Sequence, residues 1–336
     1  MTDQTISQAI SAYLDSVAEA RKEHTARTYT NALNVFSAVL KKRRLDPETT
    51  PAEKLTEDAV TWIASHLKVY ASATERLYIT AVAGFYKYLV AERLADINLP
   101  RLDLLIRQRT RKPGIRFPQF PADEIERLLS HISDSATIPV YTGDDSKSLR
   151  LREMRDRAFM LTLADTGLRV HEACALRRGD IDWNEGRAII IGKGDKQAVI
   201  RFTSRSMTAL KDYLALRSSL DGGFGRPLAS LPLFARHDKG AGQKIKPITT
   251  TTGRNIVTDR VRQILGEESV GKITPHSFRH YFVTSILRVT GNLVKAQMLA
   301  RHKNIETTKS YTHLADDELD KAYYEVFEKN RKKGSK

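Results

Sequence analysis

One set of side chains in this sequence has the types needed to hold a phosphate. It contains two arginines, two histidines, a lysine and a tyrosine: Arg169, Lys193, His276, Arg279, His302 and Tyr311. A guanidinium keeps its charge and can hold two phosphate oxygens at once. A lone tyrosine is ordinarily core or surface filler, but Tyr311 follows two histidines and an arginine in an apolar helical region. The pattern predicts polar groups that converge on an anion.

Carboxylates for a magnesium site are not evident. Most phosphoryl-transfer enzymes stabilise the charge on the non-bridging oxygens with Mg²⁺. The acidic clusters here are adjacent runs, Asp144–Asp145 and residues 316–318, and solvation or helix N-terminal charge explains them better. Cysteine and histidine do not cluster with zinc spacing. Two arginines are the metal-free alternative for stabilising phosphate charge, and we expect no metal ion.

Each of these residues also has an ordinary interpretation when it is taken alone. Arg169 and Glu172 could form an i,i+3 salt bridge, which contributes little on a helix surface. Lys193 could be a turn lysine, and Lys196 is an equally exposed rival. Tyr311 could belong to the core. Only the joint order of the motifs along the chain favours function.

The sequence pattern of residues 6 to about 95 predicts a helical unit. Apolar side chains recur there at helical spacing, as in Ile6, Ile10, Leu14 and Val17 and again in Tyr29, Leu33, Phe36 and Leu40. The spacing of Ser72 and Glu75 predicts a capping box at the start of a long helix. Together, the helical segments predict a small four-helix domain. The basic run 41–44 fits either charge at a helix C-terminus or contact with a DNA backbone.

Periodicity fades from Asn98 to Pro121. The stretch 107–121 is basic and is broken by three prolines and a glycine. A solvated linker explains this composition without any function. In a protein that clamps a duplex, the same stretch would lie against phosphates, and we favour that interpretation.

The remaining chain supplies the elements that must position the site. A buried helix around Ala158–Leu163 should end before Gly167, which presents Arg169 at the tight turn into the next helix. Two strand-like runs, 188–191 and 198–202, flank a glycine-rich turn and predict a hairpin with Lys193 at its tip. Helices are expected at about 252–266, 276–289 and 291–301, and an amphipathic tail helix from Asp316 onward.

In order along the chain, these motifs resemble those of the tyrosine recombinases of the phage-integrase and Xer type. Arg169 and Glu172 stand in a T-G-L-R-x-x-E box, and Lys193 stands in a G-K-G turn. His276 and Arg279 form an H-x-x-R box, and the segment from His302 to Tyr311 matches the last box. One position departs from the pattern, because Arg301 stands where the family has glycine. Arg301 could strain the turn or could add a phosphate contact.

The resemblance implies a role for each residue. Tyr311 would attack phosphorus and form a 3′-phosphotyrosyl link, with His276 as proton acceptor and His302 hydrogen-bonded to the scissile phosphate. Lys193 would protonate the departing 5′-oxygen. The two arginines would stabilise the phosphate charge, and Glu172 would orient the basic groups. No metal, ATP or other cofactor is implied.

The resemblance also implies a fold and a domain division. We expect a mainly α protein with a small antiparallel β-sheet. A helical core-binding domain would span residues 1–97 and a basic linker residues 98–120. A mixed α/β catalytic domain with a C-terminal tail helix would span residues 121–336.

The composition indicates which class of partner the protein binds. The net charge of +15 in 336 residues favours a polyanion, and the absence of a long apolar run argues against a membrane. The sequence starts without a signal-peptide pattern. The single cysteine, Cys174, fits a reducing cytoplasm and a buried thiol. We expect a cytoplasmic, nucleoid-associated protein that binds double-stranded DNA.

The predicted activity is site-specific DNA recombination through a Holliday junction, by four protomers on two sites. Whether the protein is monomeric in solution, and whether a related recombinase or accessory protein takes part, are open. Without a further N-terminal domain, a Xer-like or mobile-element enzyme is expected, not an integrase that also binds arm sites. Alternatives with the same chemistry are a type IB topoisomerase and a hairpin telomere resolvase. An inactive DNA-binding regulator and a hydrolytic nuclease are alternatives from other classes.

Overall fold

The computed structural model describes residues 4–21, 23–111, 121–143, 145–191, 197–222, 225–238, 240 and 245–301. The chain divides into two compact units, Met1–Arg116 and Phe117–Lys336. Each has its own hydrophobic core. The expected fold class is confirmed, because most described residues are helical and three short strands form one antiparallel sheet.

The first unit is a helical bundle. Its helices are α1 (Ile6–Ala20), α2 (Glu23–Lys42), α3 (Ala59–His66), α4 (Ser72–Ala91) and α5 (Leu99–Arg109). The apolar stripes read from the sequence form its core, in which Ile6, Leu33 and Phe36 are fully buried. Thr5 caps α1, since its Oγ1 accepts from the Gln8 N–H at 3.3 Å and its own N–H donates to Gln8 Oε1 at 2.9 Å.

The range predicted as linker begins with a helix. In α5, Leu102 is fully buried in the first unit, and Asn98 caps the helix by accepting from the Arg101 N–H at 3.0 Å. The sequence obscured this helix because a proline and three arginines stand among its apolar residues. The second half of the predicted linker, residues 112–120, lies outside the described residues.

The predicted capping box between Ser72 and Glu75 is wrong. Ser72 is the first residue of α4, and the side chain of Glu75 is fully buried. The Glu75 carboxylate instead accepts from Lys68 Nζ at 2.8 Å and from the Arg111 N–H at 3.0 Å, and it pairs with the Arg111 guanidinium. These contacts join α4 to the residues that directly follow α5, so Glu75 fixes the position of Arg111.

The second unit carries the remaining elements. Its helices are α6 (Ala122–Ser133), α7 (Ser146–Thr166), α8 (Val170–Ala175), α9 (Ser204–Asp221), α10 (Thr250–Leu265), α11 (Pro275–Thr290) and α12 (Leu293–Ala300). The strands are β1 (Ile181–Asp182), β2 (Arg187–Ile191) and β3 (Gln197–Arg201). They pair antiparallel in the order β1-β2-β3, with Ile189 opposite Val199 and Ile191 opposite Gln197. The expected hairpin is therefore confirmed, and its connecting residues 192–196 lie outside the described residues.

Helix α7 runs through the middle of this unit and packs against α6, α8, α9, α10 and α11. Its first half is held by buried ion pairs as well as by apolar contacts. Arg157 Nε donates to Glu153 Oε1 at 2.6 Å, and Arg260 of α10 donates to Asp156 Oδ2 at 2.9 Å. The attraction within a buried ion pair offsets the cost of removing both charges from water only when the two groups are well aligned. They therefore fix the register of α7, whose last turn leads into the candidate site.

Cys174 is buried, as expected, and burial raises the pKa of its thiol to about 12. Across the described part of the chain, no helix combines the length and the apolar character required to cross a membrane.

Candidate active site

A tight turn between α7 and α8 is the centre of the site. Gly167 ends α7 in the left-handed conformation, with φ 60°. A Cβ added at this position would lie 2.5 Å from Cδ1 of Phe282 in α11, so the turn and α11 approach as closely as glycine allows. Buried Leu168 follows, and Arg169 then stands at the N-terminus of α8 in extended conformation. The prediction that Arg169 is presented at this turn is confirmed.

Glu172 holds both the main chain and the side chain of Arg169. Its Oε2 accepts from the Arg169 N–H at 2.9 Å, and its Oε1 accepts from Arg169 Nη1 at 3.0 Å. The side chain of Glu172 is only 6% exposed, whereas that of Arg169 is 40% exposed. Burial alone would raise the pKa of Glu172, but the Arg169 N–H and the charges of Arg301 and Arg169 outweigh it and lower that pKa. The carboxylate is therefore ionised and aims a partly exposed guanidinium.

Arg279 ties three elements together from α11. The residue is 1% exposed, and its Nη1 donates to the Gly167 carbonyl at 2.6 Å. Its Nη2 donates to the carbonyl of Ala300, the last residue of α12. Both accepting carbonyls lie at helix C-termini, where main-chain oxygens lack a partner within the helix. Arg279 thus joins the ends of α7 and α12 and places a buried positive charge beside the Gly167 turn.

His276 lies in the first turn of α11, one turn before Arg279. Loss of hydration and the charges of Arg279 and Arg169 lower its pKa below the ordinary value. The imidazole is therefore neutral at neutral pH, which is the form that can accept a proton.

His280 was not among the predicted site residues. Its ring meets that of His276 edge-on, with centroids 4.5 Å apart and planes at 87°. Burial, together with the positive charge of Arg279 and the nearby ring of His276, lowers the pKa of His280 to about 4. The i,i+4 spacing of the two histidines on one helix was the sequence signal for this contact.

Arg301 ends α12 in the left-handed conformation, with φ 57° and ψ 41°. A residue with a Cβ pays roughly 1–2 kcal/mol in this region. Its guanidinium turns toward Gly167, and its Nη2 lies 3.3 Å from the Gly167 carbonyl and 3.4 Å from Glu172 Oε2. The strain expected from the missing glycine is therefore present.

Three guanidinium groups thus meet at two acceptors. The Glu172 carboxylate receives Arg169 and Arg301, and the Gly167 carbonyl receives Arg279 and Arg301. His276 stands in the same helix as Arg279. An arrangement of this kind can bind an oxyanion and stabilise negative charge that develops on it.

The structure brings together four predicted residues: Arg169, Glu172, His276 and Arg279. The other three, Lys193, His302 and Tyr311, lie outside the described residues, as does the tail helix predicted from Asp316 onward. Lys193 falls in the segment between β2 and β3, and His302 directly follows Arg301 in the chain. Within the described ranges, no three His, Cys, Asp or Glu side chains are grouped so that they could hold a metal ion.

Comparison with protein families gives two matches. Residues 118–318 match the phage integrase family, and residues 10–93 match the phage integrase N-terminal SAM-like domain.

Individual relatives agree with these matches. Tyrosine recombinase XerC of Bacillus subtilis strain 168 is 28% identical over 304 residues, which is 90% of this chain and 89% of the relative. XerC of Bacillus pumilus strain SAFR-032 is 30% identical over 245 residues, which is 73% of this chain and 72% of the relative.

Solved structures share the fold. XerH recombinase bound to a palindromic difH substrate, in a post-cleavage complex, gives a TM-score of 0.66 at 18% identity, over 96% of this chain and 97% of that chain. A lambda integrase dimer bound to a COC′ core site gives a TM-score of 0.62 at 18% identity, over 91% of this chain and 95% of that chain.

Proposed function

This chain belongs to the phage integrase family, and we propose that it is a site-specific DNA recombinase that cuts and rejoins strands through a 3′-phosphotyrosyl intermediate. One observation carries the proposal. Arg169 and Arg279, far apart in sequence, are both fixed to the segment Gly167–Glu172. Two positioned guanidinium groups beside a neutral imidazole form a site for a phosphodiester, and relatives of this chain are tyrosine recombinases.

In the proposed first step, the Tyr311 oxygen attacks phosphorus and the bond from phosphorus to the 5′-oxygen breaks. His276 accepts the phenolic proton, and its lowered pKa keeps the imidazole in the neutral form that has a free lone pair for that proton. Lys193 gives a proton to the departing 5′-oxygen, and His302 hydrogen-bonds a non-bridging oxygen. The phosphotyrosyl bond conserves the energy of the broken diester, so a 5′-hydroxyl can attack it and restore a DNA strand.

Arg169 and Arg279 stabilise the negative charge that grows on the non-bridging oxygens. Because both are held before DNA binds, little reorganisation is needed when the charge develops. Glu172 does not touch the substrate in this scheme and acts as a positioning residue for Arg169.

Double-stranded DNA is the proposed partner. The net charge of +15 favours a polyanion, and the related XerH and lambda integrase structures are DNA complexes. We assign DNA binding outside the site to residues 1–97 and to the basic stretch 98–120, which includes α5, and the chemistry to residues 121–336. Four protomers would act on two sites, exchanging one strand pair at a time through a Holliday junction, on nucleoid DNA in the cytoplasm.

The test is recovery of the target from a covalent complex. The protein is incubated with fragmented genomic DNA in excess EDTA, denatured, and stripped of non-covalent DNA. The DNA that remains is sequenced, and two copies of the recovered site are placed on one plasmid. The proposal expects recombinant plasmids of conserved length from wild type and none from Tyr311→Phe.

Other results would assign other functions. Relaxation of plasmids without a sequence requirement indicates a type IB topoisomerase, and covalently closed ends indicate a telomere resolvase. Specific binding without a covalent complex indicates an inactive regulator. Loss of cleavage in EDTA, restored by Mg²⁺, indicates a hydrolytic nuclease.

A further inference from the structure

Arg301 stands in an unfavourable position by three separate criteria. Its main chain is in the left-handed region, with φ 57°. Its side chain is only 12% exposed, so a permanent charge is held largely out of water. In the part of the chain that the structure describes, its buried Nε and Nη1 have no hydrogen-bond partner. Residues with a strained main chain or unsatisfied buried polar atoms tend to lie at functional sites, where a ligand can bind those atoms.

The contacts that Arg301 does make are long. Its Nη2 reaches the Gly167 carbonyl at 3.3 Å and Glu172 Oε2 at 3.4 Å, whereas Arg279 Nη1 reaches the same carbonyl at 2.6 Å. Arg169 Nη1 lies 3.0 Å from the other carboxylate oxygen of Glu172. Both acceptors therefore have a closer donor already, and Arg301 contributes little to satisfying them.

The charges around Arg301 do not balance. Among the described residues, two guanidinium groups, those of Arg169 and Arg301, share the carboxylate of Glu172. The guanidinium of Arg279 is bound beside them to two neutral carbonyls. Burial lowers the pKa of Arg301; Glu172 opposes this effect and Arg169 adds to it. An anion from outside would supply the missing negative charge and hydrogen-bond acceptors together.

We propose that Arg301 is a third phosphate-binding arginine, which donates to a non-bridging oxygen of the scissile phosphate beside Arg169 and Arg279. The assignment rests on the proposed function, which makes a DNA phosphodiester the anion of this site. A phosphodiester carries one negative charge in the ground state and gains charge on its non-bridging oxygens as the nucleophile attacks. An arginine poised without close partners is able to respond to that gain.

The rival explanation is that Arg301 only positions Arg169 through Glu172. The two roles differ in how they depend on the charge of the phosphate. A methylphosphonate at the scissile position replaces one charged non-bridging oxygen with a neutral methyl group. A residue that stabilises that oxygen's charge loses its contribution on this substrate, whereas a residue that positions Arg169 keeps it.

The first experiment measures covalent complex formation by the full-length protein on matched phosphodiester and methylphosphonate sites. We expect Arg301→Ala to be slower than wild type by roughly 100-fold on the phosphodiester, with little or no difference on the methylphosphonate. Arg288→Ala removes an exposed arginine from α11 of the same unit and should match wild type on both. An equal defect of Arg301→Ala on both substrates, or no defect on the phosphodiester, overturns the proposal.

A second experiment does not depend on cleavage. Thermal denaturation is followed in inorganic phosphate and in chloride at equal ionic strength. The stabilisation by phosphate should be smaller for Arg301→Gly than for wild type. Arg93→Gly is the matched control, because Arg93 is left-handed too, with φ 54°, but lies in the other unit; its response to phosphate should equal that of wild type.

The two experiments separate the two proposals. If wild type forms no covalent complex with any DNA but its phosphate response requires Arg301, the recombinase function fails and the anion site stands. If wild type cleaves and Arg301→Gly responds to phosphate as wild type does, the function stands and the third arginine is refuted.

Discussion

Glu172 accepts two hydrogen bonds from Arg169, one from its main-chain N–H at 2.9 Å and one from its guanidinium at 3.0 Å. The carboxylate is ionised and nearly buried, and the guanidinium that it aims is the most exposed of the three in the site. Glu172 therefore fixes where the N-terminus of α8 begins and where its arginine points.

Glu172→Gln should slow cleavage by roughly tenfold to 100-fold and lower the free energy of unfolding by about 1–3 kcal/mol. A carboxamide keeps one acceptor oxygen but presents an NH₂ group to the second donor, and it removes the charge that Arg169 and Arg301 share. Cleavage rates and urea denaturation measure the two effects. Glu126→Gln, on the exposed face of α6, is the control, and equal behaviour of the two variants would contradict this role.

Lysine substitutions at the two arginines should have different consequences. Arg279 is 1% exposed and joins two carbonyls, so Arg279→Lys should both stop cleavage and destabilise the fold by about 1–3 kcal/mol. Arg169 is 40% exposed at its side chain, so Arg169→Lys should stop cleavage with a smaller loss of stability. Comparable destabilisation by both changes would show that the buried Arg279 contributes no more to stability than the partly exposed Arg169.

Glu75 should make the first unit sensitive to acid. Burial alone would raise its pKa, but hydrogen bonds from Lys68 and Arg111 outweigh it and lower the pKa to about 2. A depressed carboxyl pKa contributes stability that is complete above the unfolded value of 4.5 and is lost as pH falls toward 2. The stability difference between wild type and Glu75→Gln should therefore be largest near neutral pH and shrink from pH 4.5 downward.

The measurement uses the two tryptophans of the chain, which lie one in each unit. In a Trp183→Phe background, the fluorescence of Trp62 reports the first unit alone during urea denaturation. Glu53→Gln, at an exposed position, should show no such trend. A stability difference for Glu75→Gln that stays constant from pH 6 to pH 3 would show that the ionised Glu75 carboxylate does not stabilise the first unit through Lys68 and Arg111.

Lys193 and Lys196 can be told apart by the leaving group. A 5′-alkoxide departs slowly unless it is protonated, whereas a thiol with a pKa near 8.5 departs without that help. Sulfur at the 5′-bridging position should therefore restore cleavage to Lys193→Ala but not to Arg169→Ala. Lys196→Ala should be nearly normal on the ordinary substrate, with at most weaker DNA binding. Rescue of Lys196→Ala instead would move the general acid to that residue.

Local features of the fold could be predicted from the sequence. The helix that ends at Gly167 and the β2–β3 hairpin were both expected, because turn residues and apolar periodicity are signals contained within a few neighbouring residues. Helix α7 begins at Ser146, inside the stretch expected as a surface loop (133–150), since polar residues there face solvent on a helix as readily as in a loop.

The long-range contacts could not be predicted. Nothing near Gly167 in the sequence indicates that its carbonyl accepts from two distant arginines, or that the left-handed Arg301 folds back toward Glu172. Glu75 shows the same limit in the other unit. Its spacing from Ser72 fits a capping box, but partners distant in sequence, above all Arg111, take the carboxylate instead. Tertiary contacts of this kind override local preferences because buried charges must find partners wherever the fold supplies them.

Mapping the covalent attachment tests directly whether Tyr311 is the nucleophile. Protein trapped on its recovered DNA site in excess EDTA is digested with nuclease and trypsin and analysed by mass spectrometry. We predict a nucleotide adduct on the tryptic peptide spanning residues 310–321, whose one tyrosine is Tyr311, and no adduct from Tyr311→Phe although that variant still binds the site. An adduct on any other peptide, or one that persists in Tyr311→Phe, would contradict the claim.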